Sequence, residues 1–141
     1  MPRYVAKRTL PAAVETVWEV LAEPARWADW WPGLATAEPT VRRALAPGAL
    51  WQIEGLNRPS LLRRPLSGGS LLVLEVKPLR RVVFQLPADR VEVELELEAV
   101  EGDGETVATL VVAAPRFGGL RRTMASDALA KLAAVVRPAT A

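Results

Sequence analysis

The chain contains neither cysteine nor histidine, and those two absences remove much familiar catalytic chemistry. Without cysteine there is no disulfide framework and no thiolate nucleophile. Without histidine there is no Ser-His-Asp triad, no zincin helix and no imidazole proton shuttle. With neither, a structural zinc is excluded. Phosphate-cradling and dinucleotide fingerprints are missing too, since Gly68-Gly69 and Gly102-Asp103-Gly104 have the spacing of turns. No apolar run approaches the ~18 residues needed to span a bilayer, and MPRYVAKRTL at the start lacks the apolar core of a signal peptide. The expectation is a cytoplasmic protein with no integral membrane segment. Any catalysis must rest on carboxylates, arginine, hydroxyls, Tyr4 or ordered water, and is expected to need no metal and no cofactor.

Strong charge of one sign is also lacking. The formal net charge is +2, and the arginine pairs at 42–43, 63–64, 80–81 and 121–122 are spread through the chain with glutamates to match. Nucleic-acid binding would want them clustered, with aromatics interleaved for stacking. A solvated surface is the expected role, and no nucleic-acid partner. At 141 residues with half of them hydrophobic, one domain spanning 1–141 is expected to bury roughly two thirds of its unfolded surface.

Aromatics make up 6% of the chain, yet four of its five tryptophans fall between Ala13 and Leu34. Val14, Val17, Trp18 and Leu21 recur at helical spacing, Pro24 suits the first turn of a second helix, and Trp27, Trp30 and Trp31 follow before Pro32-Gly33 ends it. Two helices this short cannot bury their tryptophans within themselves, so they must close over something larger.

The remainder reads as strands. Arg3–Thr9 is the first; Thr40–Ala46 and Ala49–Leu56 read as a hairpin turned at Pro47-Gly48; Ser70–Lys77 and Arg81–Leu86 form another near Pro78. In Arg90–Val100, Val91, Val93, Leu95, Leu97 and Ala99 alternate with Glu92, Glu94, Glu96 and Glu98, a period of two that no helix gives. Glu105–Ala114 returns as the seventh strand, completing an antiparallel meander with one wet face. The glutamates stand in a row, whereas a hard cation wants oxygens converging on a point. They read as the solvated face of the sheet.

A last helix is expected from about Gly119 to Val136. Steps of 100° put Met124, Ala128, Leu132 and Val135 on one stripe, with Ala125 and Val136 beside it and Arg122, Thr123, Ser126 and Ala130 opposite. Small residues on a buried stripe either let the helix sit close to the sheet or leave room for a ligand. Arg121 falls within that stripe in the helix's first turn, where backbone N–H groups also favour an anion; its other role would be to snorkel to solvent. Asn57–Gly69, with Arg58, Arg63 and Arg64, reads as a lid or as a surface loop.

The opening run, LPAAVETVWEVLAEPARWADWWPG, resembles that of the START/Bet v 1-like (SRPBCC) superfamily, particularly its bacterial polyketide cyclase/dehydrase-like members. Pro11, Ala12, Val17, Trp18, Leu21, Pro24, Trp27, Trp30, Trp31 and Pro32 carry the resemblance. Gly48–Trp51, Pro78–Phe84, Gly102–Val107 and the C-terminal helix follow in the family's order. The resemblance implies an α+β helix-grip fold, a curved seven-stranded antiparallel sheet wrapped around a long C-terminal helix with two short N-terminal helices. It implies a partner that is an apolar or amphipathic small molecule, such as a lipid, polyketide or isoprenoid, held in an internal cavity. The site residues expected on that reading are Trp27, Trp31, Trp51, Phe84, Arg121, Met124, Ala128 and Leu132. A cyclase-like enzyme and an interaction module of the chaperone-activator kind are the alternatives, since the superfamily holds all of these. Neither the ligand nor the oligomeric state is written in the sequence.

Overall fold

The computed structural model describes residues 3–23, 26–31, 34–39, 45, 47–55, 69–87, 90–100, 104–114 and 124–137. Seven strands are present: β1 (Arg3–Leu10), β2 (Leu34–Pro39), β3 (Leu50–Gly55), β4 (Gly69–Lys77), β5 (Arg81–Leu86), β6 (Val91–Val100) and β7 (Glu105–Ala113). The helices are α1 (Val14–Ala22), α2 (Trp27–Trp30) and α3 (Met124–Val136). The sheet runs in the order β1-β7-β6-β5-β4-β3-β2, antiparallel throughout. From β2 to β7 each strand pairs with its successor, and β1 returns to lie beside β7. This is the helix-grip fold that the sequence pattern and the resemblance lead one to expect.

Period-two alternation determines which side chains reach the core. In β6, Val91, Val93, Leu95 and Leu97 are buried between outward glutamates, and in β7 Thr106, Ala108, Leu110 and Val112 are buried between half-buried neighbours. Registration lines these residues up across strands. Val73, Phe84, Val93, Val112 and Tyr4 form one inward row, and Val82, Leu95, Leu110 and Ala6 another. A shift of register between Val73 and Glu75 inserts an extra residue in β4, which leaves Leu74 exposed and returns Val76 to the core side.

Across the sheet's outer face, Arg81 ties the glutamates together. It bonds Glu96, directly opposite in register, and pairs with Glu94 at 3.5 Å and Glu75 at 3.4 Å. Burial opposes its charge, but attraction to Glu94, the hydrogen bond to Glu96 and the charge of Glu75 outweigh that and raise its pKa above the ordinary arginine value. Among the described residues, no three acidic side chains gather in a way that could hold a metal.

The structure moves several sequence expectations. The strand that pairs with β3 is Leu34–Pro39, from Leu34↔Gly55 to Pro39↔Trp51, and the expected strand Thr40–Ala46 lies, Leu45 apart, outside the described residues. Leu45 itself stands outside any strand. α3 is described from Met124, and its buried face is Ala125, Ala128, Leu129, Leu132, Ala133 and Val136. Met124 and Val135, expected on the central stripe, are half-buried at its margin. Trp18 is likewise half-buried, with Val20 taking its place on the inner face of α1. Ala99, expected to face inward, is exposed at the end of β6.

Candidate ligand-binding site

The corner between α1 and α2 sets the position of the tryptophans. α1 has no side-chain cap at its start, where Ala13 supplies only its carbonyl to Thr16 and Val17. Thr106 on β7 fixes that entry, its buried hydroxyl donating to the Ala12 carbonyl at 2.8 Å. At the other end the Leu21 carbonyl, one of those a helix leaves unpaired in its last turn, accepts the indole N–H of Trp27 at 2.9 Å. Trp27 thus caps α1 while its ring enters the core. The four residues of α2 and the one after it then deliver Trp27, Trp30 and Trp31 inward, all three buried.

Two strands meet them there. Trp51 from β3 and Phe84 from β5 are both fully buried. Trp27 lies at the centre, its ring centroid 4.8 Å from Trp30, 5.0 Å from Trp51 and 4.9 Å from Phe84. Trp31 closes the group, 5.6 Å from Trp30 and 5.4 Å from Phe84. Four of the five contacts are edge-to-face, with interplanar angles of 77° to 89°, the arrangement aromatic quadrupoles favour by about 0.5–1.5 kcal/mol per pair. α2 packs against α3, which otherwise comes closest to β1 and β7. The tryptophans therefore lie between the helix and the β3–β5 half of the sheet.

The indole donors of this cluster are not equally served. Trp27 has the Leu21 carbonyl, whereas Trp30 Nε1 and Trp51 Nε1 are buried without an acceptor among the described residues. A buried donor left unpaired costs about 1–3 kcal/mol. Apart from these indoles, the buried side chains of the described residues include one polar group, Thr106, and it is already bonded. The wall offers apolar area and two free donors, with no acid or base among the buried side chains of the described residues.

Of the site residues expected from sequence, Trp27, Trp31, Trp51 and Phe84 come together in this one cluster. Ala128 and Leu132 lie on the buried face of α3, and Met124 at its half-buried edge. Arg121 lies outside the described residues, as do Arg58, Arg63 and Arg64. Trp30 belongs to the cluster but was not among the expected site residues; its three-residue spacing from Trp27 was the available signal.

Residues 1–137 match the family described as polyketide cyclase / dehydrase and lipid transport. The chain belongs to this family. Comparison with curated proteins finds no match. Among solved structures, the family member is similar to a conserved protein of unknown function from Enterococcus faecalis, at 15% identity and a TM-score of 0.69, covering 99% of this chain and 73% of that one. It is similar to the Aha1 dimer from Colwellia psychrerythraea at 17% identity and a TM-score of 0.67, covering 97% of each chain. It is also similar to Ara h 8.0201, at 10% identity and a TM-score of 0.64, covering 96% of this chain and 97% of the other. At such identities the likeness is one of fold alone. Among the described residues, no helix of this family member is long and apolar enough to cross a membrane.

Proposed function

We propose that this chain, as one domain spanning 1–141, binds an apolar or amphipathic small molecule between its aromatic wall and the buried face of α3. The observation that carries the reading is the cluster itself. Five rings from α2, its following residue, β3 and β5 are drawn to one place, and α3, which α2 packs against, buries Ala125, Ala128 and Ala133. Small residues on a buried helix face are compatible with room for a ligand, and aromatic walls supply the contact area that apolar ligands use. A ligand lodged there exchanges ring–ring contacts for ring–ligand contacts at little cost in exposed surface. The family's description, which names both lipid transport and cyclase or dehydrase activity, supports the same class of ligand. Binding is favoured over proton-transfer catalysis because, among the described residues, no acid or base is buried beside the rings.

The test is native mass spectrometry of the freshly purified protein together with titration by methyl oleate, followed through tryptophan emission. Four tryptophans line the wall, so occupancy is expected to produce a saturable change in intensity or wavelength, and a bound mass is expected in the gas phase. No saturable response to methyl oleate or to apolar aromatic probes, with no co-purified mass, overturns the reading.

A further inference from the structure

Trp30 and Trp51 are alike in an unusual respect. Each ring is fully buried, each packs against Trp27, and each keeps an indole N–H with no acceptor among the described residues. An indole can only donate, so nothing short of an incoming acceptor satisfies it. Among the described residues these two nitrogens are the buried side-chain atoms left unpaired. Trp27 shows that the fold readily satisfies an indole when that indole is structural, since its N–H caps α1.

We propose that Trp30 and Trp51 are the polar anchors of the ligand site, their indole N–H groups donating to a neutral oxygen acceptor, above all a carbonyl, carried by an otherwise apolar ligand. The inference rests on the binding reading and narrows its ligand class. Neutrality follows from the surroundings. No charged side chain is buried among the described residues, so a carboxylate brought against the rings would surrender its hydration to neutral donors alone, a poor exchange for a full charge. A hydrocarbon of the same shape would leave both donors unpaired. A ketone loses little hydration and satisfies them.

Three naphthalenes of similar size separate these cases: 2-acetonaphthone, 2-isopropylnaphthalene and 2-naphthoic acid at pH 7. The full chain, carrying 15N-labelled indoles, is titrated with each by calorimetry and by NMR. Trp30→Phe and Trp51→Phe serve to assign the indole signals and to remove one donor at a time. The ketone is expected to bind at least tenfold more tightly than the hydrocarbon and the acid. The Nε1 protons of Trp30 and Trp51 are expected to move downfield with the ketone and not with the hydrocarbon. Each Phe variant is expected to shrink the ratio of ketone to hydrocarbon affinity, both measured on that same variant. The comparison of three ligands on the parent chain stands even where a variant fails to fold. Equal affinity for ketone and hydrocarbon, or a bound ketone that leaves both indole protons unmoved, overturns the anchors while the apolar site stands. Tightest binding of the acid overturns neutrality and puts a cation at the site. Failure of all three to bind overturns the binding reading and this inference with it.

Discussion

Single side chains in this chain carry more than one duty, and their surroundings decide which duty dominates. Trp27 caps α1 through its nitrogen and packs against three other rings, those of Trp30, Trp51 and Phe84. Arg81 holds three carboxylates of the outer face that would otherwise repel one another. Because its pKa is raised, its contribution is fully present below the unfolded-state value and fades only as pH climbs through the still higher folded value. Alkaline loss of that charge therefore lies beyond any working pH. Arg81→Met keeps the apolar stem and removes the charge, and is expected to cost about 1 kcal/mol at low salt, since exposed pairs are individually weak but here form a network. In 1 M NaCl, where screening acts within about 3 Å, most of that cost should disappear. Urea midpoints of the two proteins at both salt concentrations test this; a loss that ignores salt would mean that the stem's packing, not the charge, matters. The glutamate ladder was legible in sequence because alternation alone exposes it. Its arginine partner was not, because the meeting of Arg81 and Glu96 depends on the register between two strands.

At the scale of elements, turns show where sequence and backbone agree and where they strain. The β4–β5 turn runs from Lys77 to Arg80, closed by the Arg80 N–H donating to the Lys77 carbonyl at 2.9 Å. Pro78 stands at its second position, which favours proline, and Leu79 at its third with φ of 65°. That is the pattern of a type II turn, whose third residue should be glycine or asparagine. A side chain with a Cβ in the left-handed region costs about 1–2 kcal/mol, of which glycine's extra unfolded-state entropy returns roughly 0.5–1. Leu79→Gly is therefore expected to stabilise the protein by about 0.5 kcal/mol, read as a higher urea midpoint at unchanged m value. A lower midpoint would show that Leu79, 38% exposed, packs more than it strains. Strands β4 to β7 could be read within a residue or so because alternation and turn residues coincide there. The strand at Leu34–Pro39 is not legible in the sequence because it contains two alanines and a proline, a weak strand pattern that pairing with β3 overrides. The inner face of α3 was misjudged in width. A helical wheel gives a direction, but α3 packs against β1, β7, α1 and α2, and those neighbours together bury Leu129 and Ala133 as well.

For the whole molecule, the grip of the sheet on α3 decides between a filled interior and one that receives a ligand. β1 and β7 hold one side of the helix, α2 and its tryptophans the other. The sequence disclosed the parts of this arrangement, because tryptophans at helical spacing and alanines on a buried stripe are visible in it. It did not disclose that Trp51 and Phe84 would meet Trp27, which depends on how β3 and β5 register with β4 between them. Nor did it mark the two unpaired indoles, since pairing is a property of the assembled core. Ala128, fully buried on α3, tests the arrangement as a whole. If the helix face leaves space for a ligand, the ring of Ala128→Phe occupies that space and satisfies the apolar surroundings much as a ligand does. Methyl oleate binding is then expected to vanish while the melting temperature stays level or rises. In a fully packed interface the added ring instead forces strain of about 1–3 kcal/mol, a drop of roughly 3–12 °C for a chain of this size. Thermal unfolding followed by circular dichroism, run beside the titration, distinguishes the two. A variant that melts several degrees lower would show that α3 already fits the sheet without a gap at its centre, and the binding site would have to lie elsewhere.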